Sequence, residues 1–525
     1  MTEITLIVAL LFAVALLAVA SRRIGIPYPI LMVVAGLGLG LVPGLPRLEL
    51  EPDLVFLFFL PPILFSAAFF TSIREFRANI RPISLLAIGL VLATIGAVAL
   101  VVHGVEPELG WAAAFALGAI VSPTDAIAAT AIAQRLGMPR RLVAIIEGES
   151  LLNDATALVA YRLALVAVVS GAFAWDRAIL SFFYVALAGI AVGVVVGAAV
   201  SFVVGRLHDP PVEVTISLLA PFAAYLPAEL IGASGVLATV TAGLIVGWRA
   251  PRTLGSDTRV LGSAVWQMVI FLLNGVAFIL IGLQLPSIVE RLAGPVGDEV
   301  LGITAAVIVT VIAVRLIWVF PATYLPRLLV PGLAVRDPSP PARAIVVLGW
   351  SGMRGVVSLG AALALPRVTD TGQPFPGRDL ILFVTFAVIV ATLVGQGLTL
   401  PWVIRHSGVG DDGSVSHEEL HARQAANDAA LDRLLGLTTE VPGHLELIDN
   451  LRGRYDHQTE HLVHDHEEGQ VEPTQEAIDH EKIRGAVIDA QRVAVIDLRD
   501  RGVIGDEALR RVERDLDLEE LRMEA

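Results

Sequence analysis

The heptapeptide Gly148-Glu149-Ser150-Leu151-Leu152-Asn153-Asp154 places carboxylates, a hydroxyl and an amide inside residues 142–169, an apolar run long enough to cross a bilayer. A charge at the centre of a bilayer costs about 3 kcal/mol or more, so residues kept there usually mark an ion or proton path. Glu149 and Asn153 stand one helical turn apart, as do Ser150 and Asp154, which sets the four in one polar stripe. Oxygen donors of this kind suit hard cations. A carboxylate among them can hold a proton or a metal ion, and competition between the two is the chemical basis of exchange. Glu147 lies in the same run.

Two further charges fall at the same depth. Asp125 closes Val121-Ser122-Pro123-Thr124-Asp125, and Arg354 lies in Gly349-Trp350-Ser351-Gly352-Met353-Arg354-Gly355; both stretches interrupt a helical pattern with Pro or Gly. Asp125 is ten residues before Arg135, Asp154 thirteen after Arg141, and Arg354 eleven after Arg343. At about 1.5 Å per residue all three lie about 15–20 Å from one surface, near the middle of a hydrocarbon core about 30 Å thick. Unwound backbone at Pro123-Thr124 can add free carbonyls. A buried Glu149–Arg354 ion pair supporting the site is expected, while Arg162 and Arg315 read as structural. The bland alternative, polar residues that only hold helices together, suits uncharged groups better than Asp154.

The elements that must position these groups are membrane helices. The 525 residues are 55% hydrophobic with mean hydropathy +0.74, which excludes a soluble globular chain. Thirteen spans are read near residues 3–20, 26–44, 54–71, 83–104, 110–133, 142–169, 178–205, 213–231, 234–248, 262–286, 300–325, 342–365 and 379–402. Loops after odd-numbered spans carry fifteen arginines and those after even-numbered spans five, which predicts an external N-terminus and a cytoplasmic C-terminus. Thirteen spans divide into two inverted six-helix repeats around a linker span, with the interruptions in spans five and twelve as counterparts. The expected fold is therefore an all-α polytopic membrane domain, residues 1–404, followed by a soluble, acidic, mainly helical tail, residues 405–525.

Charge and composition narrow the function. From Trp402 onward there are 29 acidic and 14 basic residues, while the rest of the chain holds 22 and 23, so the net charge of −14 belongs to the tail. An acidic tail argues against nucleic acid or anionic lipid as its partner. The chain has no cysteine, and its one lysine, Lys482, follows Glu481, so thiolate chemistry and a Walker A motif are excluded. Within the apolar spans no His-Glu-x-x-His motif is present to support a membrane hydrolase. A gated monovalent cation channel is the alternative from another class; paired interrupted helices favour alternating access over it. In the tail, His457, His461, His464 and His466 form a candidate pH sensor or metal site, although a solvated helical face is the commoner explanation.

Five motifs carry a family resemblance: Phe59-Leu60-Pro61-Pro62-Ile63-Leu64-Phe65, Ser122-Pro123-Thr124-Asp125-Ala126, Gly148 to Asp154, Phe271-Leu272-Leu273-Asn274-Gly275, and Gly352-Met353-Arg354-Gly355-Val356-Val357-Ser358. Together they resemble the monovalent cation:proton antiporter family in its sodium/proton exchanger branch, bacterial type. The resemblance implies a homodimer in the plasma membrane with a mobile core, working without a cofactor. It implies Na⁺, or else K⁺ or Li⁺, as the cation exchanged for H⁺. Asp154 becomes the ion- and proton-binding carboxylate, with Asp125 beside it on the transported Na⁺. Thr124, Ser150 and Asn153 complete or support the site, and Glu149 pairs with Arg354. An Asn153-Asp154 pair resembles the electroneutral branch. Ser66 stands where many members have a carboxylate, and it is a candidate accessory residue.

Overall fold

The computed structural model describes residues 3–42, 55–170, 175–284, 297–410, 414–440 and 444–453, with scattered positions between and beyond them. Among the described residues the regular structure is helical, with one isolated β-bridge between Val368 and Pro374. The chain divides into two units, Met1–Asp412 and Gly413–Ala525. The second contains helix Ser414–Glu440; its four clustered histidines lie outside the described residues.

The first unit opens with α1 (Glu3–Ile24) and α2 (Tyr28–Gly40), then α3 (Leu60–Phe70), which follows a π-helical turn at Val55–Phe59. α4 (Ile80–Val105) leads to α5 (Gly110–Val121) and, after an interruption, to α6 (Ala126–Arg135). α7 (Arg140–Ser170) carries the heptapeptide, and α8 (Trp175–Val204), α9 (Pro210–Leu230), α10 (Gly235–Thr253) and α11 (Ser256–Leu283) follow. α12 (Asp298–Leu329) precedes the second interrupted pair, α13 (Ala342–Trp350) and α14 (Val356–Leu363), and α15 (Arg378–Ser407) completes the unit. Gly408, at φ +63°, ends α15 in the left-handed conformation that favours glycine.

Among the described residues eight stretches, one of them α5 and α6 taken together, are long and apolar enough to cross a membrane. Their outward faces show why such a chain needs lipid. Leu187, Val195 and Phe202 on α8, and Val309 and Ile317 on α12, are exposed large apolar side chains. Inside, small residues let the backbones approach. A Cβ on Gly282 of α11 would overlap the Val33 carbonyl of α2, and one on Gly36 of α2 the Ile279 carbonyl of α11, so only hydrogen fits at that crossing. A separate alanine-rich core joins α9 and α10 to Phe65 of α3 and Trp266 of α11, whose rings stack 5.6 Å apart.

Candidate cation site at two crossed helix breaks

The two interruptions meet. Pro123 has no amide hydrogen, so α5 stops at Val121, and the chain runs through Ser122–Asp125 before α6 begins. Asp125 caps α6, its Oδ1 accepting from the Ile127 N–H at 2.9 Å. The Asp125 N–H itself donates to the Met353 carbonyl at 2.7 Å, joining the first break to the second. Gly355 must be glycine here, because a Cβ would occupy the place of Asp125 Oδ2. Asp125 thus stands at the N-termini of both α6 and α14, the positive ends of two half-helices.

The opposite, negative ends are met by buried arginines. Arg354 is 1% exposed; its Nε donates to Val121 O, at the end of α5, at 3.2 Å, and its guanidinium also reaches Gly352 O. Arg315 donates to Gly349 O at 3.2 Å and Leu348 O at 3.1 Å, at the end of α13. Each guanidinium satisfies carbonyls that the broken helix leaves without an intrahelical donor.

Arg315 also corrects the expected ion pair. Glu149, 1% exposed, is held in bidentate fashion by Arg315, with Nη2 to Oε2 at 2.9 Å and Nη1 against Oε1. Arg354 forms no salt bridge with it among the described residues, because its fork is spent on the carbonyls of the breaks. Arg315 projects from α12, beside the end of α13, and so arrives at Glu149 from outside the interrupted pair. Both arginines share one depth in the sequence; the direction of each side chain decides the partner.

Thr124 and Asn153 stand behind the site. Thr124 Oγ1 donates to Glu149 Oε1 at 3.1 Å and receives Asn153 Nδ2 at 2.7 Å, forming an Arg315–Glu149–Thr124–Asn153 network. Ser150 Oγ donates to Thr124 O at 2.9 Å and accepts the Ala126 N–H at 3.3 Å, tying α7 to the first break.

In front lies a cavity of about 620 Å³, lined by Asp125, Ser150 and Asp154, by Ser66, and by Glu147. Thr124 and Asn153 are not among its lining residues. Glu147, Ser150, Leu151 and Asp154 follow the i, i+3, i+4, i+7 spacing of one helix face, and all four line it. Among the described residues no Lys, Arg or His belongs to the lining, and its charged groups there are all carboxylates. Asp154 is 6% exposed, and its carboxylate accepts no hydrogen bond among the described residues. Ser66 Oγ donates to Ile63 O within its own helix at 3.0 Å. Phe70 and Gln134, both exposed, sit at helix ends beside Arg74 and Arg135, so the cavity opens on the face of the arginine-rich loops. Sequence reasoning gave no site role to Arg315 or Glu147, although each is a charge inside an apolar span.

An all-helical polytopic bundle with a carboxylate cavity at crossed, interrupted helices has the architecture of a secondary transporter. Residues 7–406 match the family model described as sodium/hydrogen exchanger, transmembrane. An uncharacterized Na⁺/H⁺ exchanger of Mycobacterium tuberculosis (strain ATCC 25618 / H37Rv) is 35% identical over 524 residues, 99% of this chain and 96% of that protein. The sodium, potassium, lithium and rubidium/H⁺ antiporter of Bacillus subtilis (strain 168) is 33% identical over 419 residues, 75% of this chain and 60% of that protein. The structure of the sodium proton antiporter MjNhaP1 from Methanocaldococcus jannaschii shares the fold, with a TM-score of 0.55 at 18% identity over 76% of this chain and 97% of that chain. The chain belongs to the sodium/hydrogen exchanger family.

Proposed function

We propose that the protein exchanges a monovalent cation, Na⁺ foremost with K⁺ or Li⁺ as alternatives, for H⁺ across the plasma membrane by alternating access. One observation carries this reading: the Asp154 carboxylate lines the cavity of about 620 Å³ without a hydrogen-bond donor of its own, beside Asp125. Proton and cation then compete for the same oxygens. Thirteen spans arranged as two inverted six-helix repeats place the two interruptions at corresponding positions, where they cross. The arginine-rich loops are cytoplasmic by their charge, which puts the tail inside, the N-terminus outside, and the cavity open to the cytoplasm. The working unit is a homodimer.

Electroneutral exchange follows from the surroundings of Asp154. Asn153 cannot ionise and is bonded to Thr124, Glu149 is neutralised by Arg315, and Asp125 is engaged as a helix cap. One exchangeable carboxylate per protomer supports one cation against one proton. The test is cation-driven proton flux in proteoliposomes with Na⁺, K⁺ and Li⁺, with the membrane potential clamped at zero or held negative inside by a means independent of the cation tested. Flux that saturates and ignores the potential is expected. Channel-like conductance, or a rate that climbs with potential, would overturn exchange or its electroneutrality respectively.

A further inference from the structure

Two polar side chains on the cavity wall take no part in the network described above. Asn274, in the middle of α11, is 1% exposed and lines the cavity with Asp125 and Asp154. Its Oδ1 has no partner among the described residues. Ser358, also 1% exposed, lines the same cavity from the first turn of α14, and its Oγ is likewise without a partner.

A buried hydroxyl on a helix ordinarily donates back to a carbonyl three or four residues earlier. Thr130, Ser201, Thr304 and Thr310 all do so here. Ser358 makes no such bond. Buried polar atoms left unmatched within a protein call for an explanation such as a bound ion or water. Other unmatched buried atoms exist, on Thr94 and Thr385 for example, but they do not line this cavity. Asn274 and Ser358 do, and they share it with the two aspartates.

We propose that Asn274 Oδ1 and Ser358 Oγ are ligands of the transported cation, held directly or through its water, in the state described here. This rests on the exchange reading and extends it to a shell of four side chains from four helical elements. Asp125 caps α6, Asp154 lies on α7, Ser358 on α14 and Asn274 on α11. A monovalent cation entering the cavity must replace its hydration oxygens, and neutral donors do this without adding charge to a site that already holds two carboxylates. Asn274 thereby belongs to the binding shell for the metal ion and not for the proton, which needs only a carboxylate.

The test is the cation dependence of exchange in proteoliposomes for Asn274→Leu, Asn274→Asp and Ser358→Ala, read beside the wild type. Asn274→Leu keeps the side chain's approximate size and removes its oxygen. It is expected to raise KM for Na⁺ about tenfold, or about 1.4 kcal/mol of binding, with a much smaller change in kcat. Ser358→Ala is expected to raise KM about threefold. Asn274→Asp restores an oxygen and should return KM to the wild-type value or below. Na⁺-induced thermal stabilisation of the purified variants supplies a readout apart from transport, and it should weaken in the same order. Wild-type KM and stabilisation in both Asn274→Leu and Ser358→Ala would overturn the proposal. If Asn274→Leu fails to fold, Ser358→Ala and Asn274→Asp decide it by the same KM comparison. Absence of cation-driven flux in the wild type would instead sink the exchange reading itself.

Discussion

At the scale of single residues, the site separates charges that organise the protein from charges that can be loaded. Asp154 is one heptad from Glu147 on the face of α7 toward the cavity, whereas Glu149 points away into a dry contact with Arg315. The Glu149 and Arg315 side chains are 2% and 1% exposed, so each needs the other. Removing one should cost about 3–5 kcal/mol by stranding a buried charge, and removing both should cost less than the sum. Thermal unfolding in detergent of Glu149→Ala, Arg315→Ala and the double variant reads this directly. Glu149→Ala combined with Arg354→Ala should come closer to additivity, because Arg354 holds Val121 O and Gly352 O instead. Strong coupling in the Arg354 cycle and none in the Arg315 cycle would reverse the assignment. Arg315 lies twelve residues before Arg327, about 18 Å by helical rise, so its depth was legible in the sequence. Its partner was not: with two arginines at one depth, side-chain direction decides, and span spacing does not encode that.

Helices were the most legible elements, since apolar runs ended by arginines or Gly/Pro leave few alternatives. Their internal irregularities were less so. α4 contains a π-helical stretch at Leu85–Leu90, where Trp318 of α12 donates to Leu85 O at 3.0 Å and its ring fills the space over Gly89. A tryptophan from a distant helix thus takes a carbonyl out of the regular ladder, and local sequence holds no trace of it. The two breaks were announced by Ser-Pro-Thr-Asp and by the glycines flanking Arg354, yet their crossing depends on the Asp125 N–H to Met353 O bond between distant segments. Gly355→Ala tests that crossing. The added methyl overlaps Asp125 Oδ2, so Asp125 must move or α14 must shift. We expect exchange to fall at least tenfold with a stability loss of about 1–3 kcal/mol. Flux and unfolding measured on the same preparation check both, and wild-type flux would mean that Asp125 need not hold its observed position.

Across the whole molecule, distant helix ends are clamped on the arginine-rich face. Asp337, after α12, is gripped by Arg81, by Arg141 at 2.7 Å and by Arg327 at 2.9 Å, which links the starts of α4 and α7 to the end of α12. Partial burial alone would raise the Asp337 carboxyl, but the Arg141 hydrogen bond and the charges of Arg141, Arg327 and Arg81 outweigh it and hold the group below its ordinary value. A folded-state value below the unfolded one stabilises the fold fully above the ordinary carboxylate value of 3.8, and the benefit is lost as pH falls through the lower folded value. Asp337→Asn should therefore lower thermal stability at neutral pH and remove this acid-side decline, which a pH series of unfolding temperatures would reveal. The tail was legible only by composition, through its excess of acidic residues. The most direct measurement of proton–cation competition needs no membrane. Na⁺ added to weakly buffered, purified protein, in the pH range where the site is protonated, should release protons in the wild type, about one per protomer if exchange is electroneutral. Asp154→Asn should release none. Release from Asp154→Asn equal to the wild type would contradict Asp154 as the shared site of proton and cation.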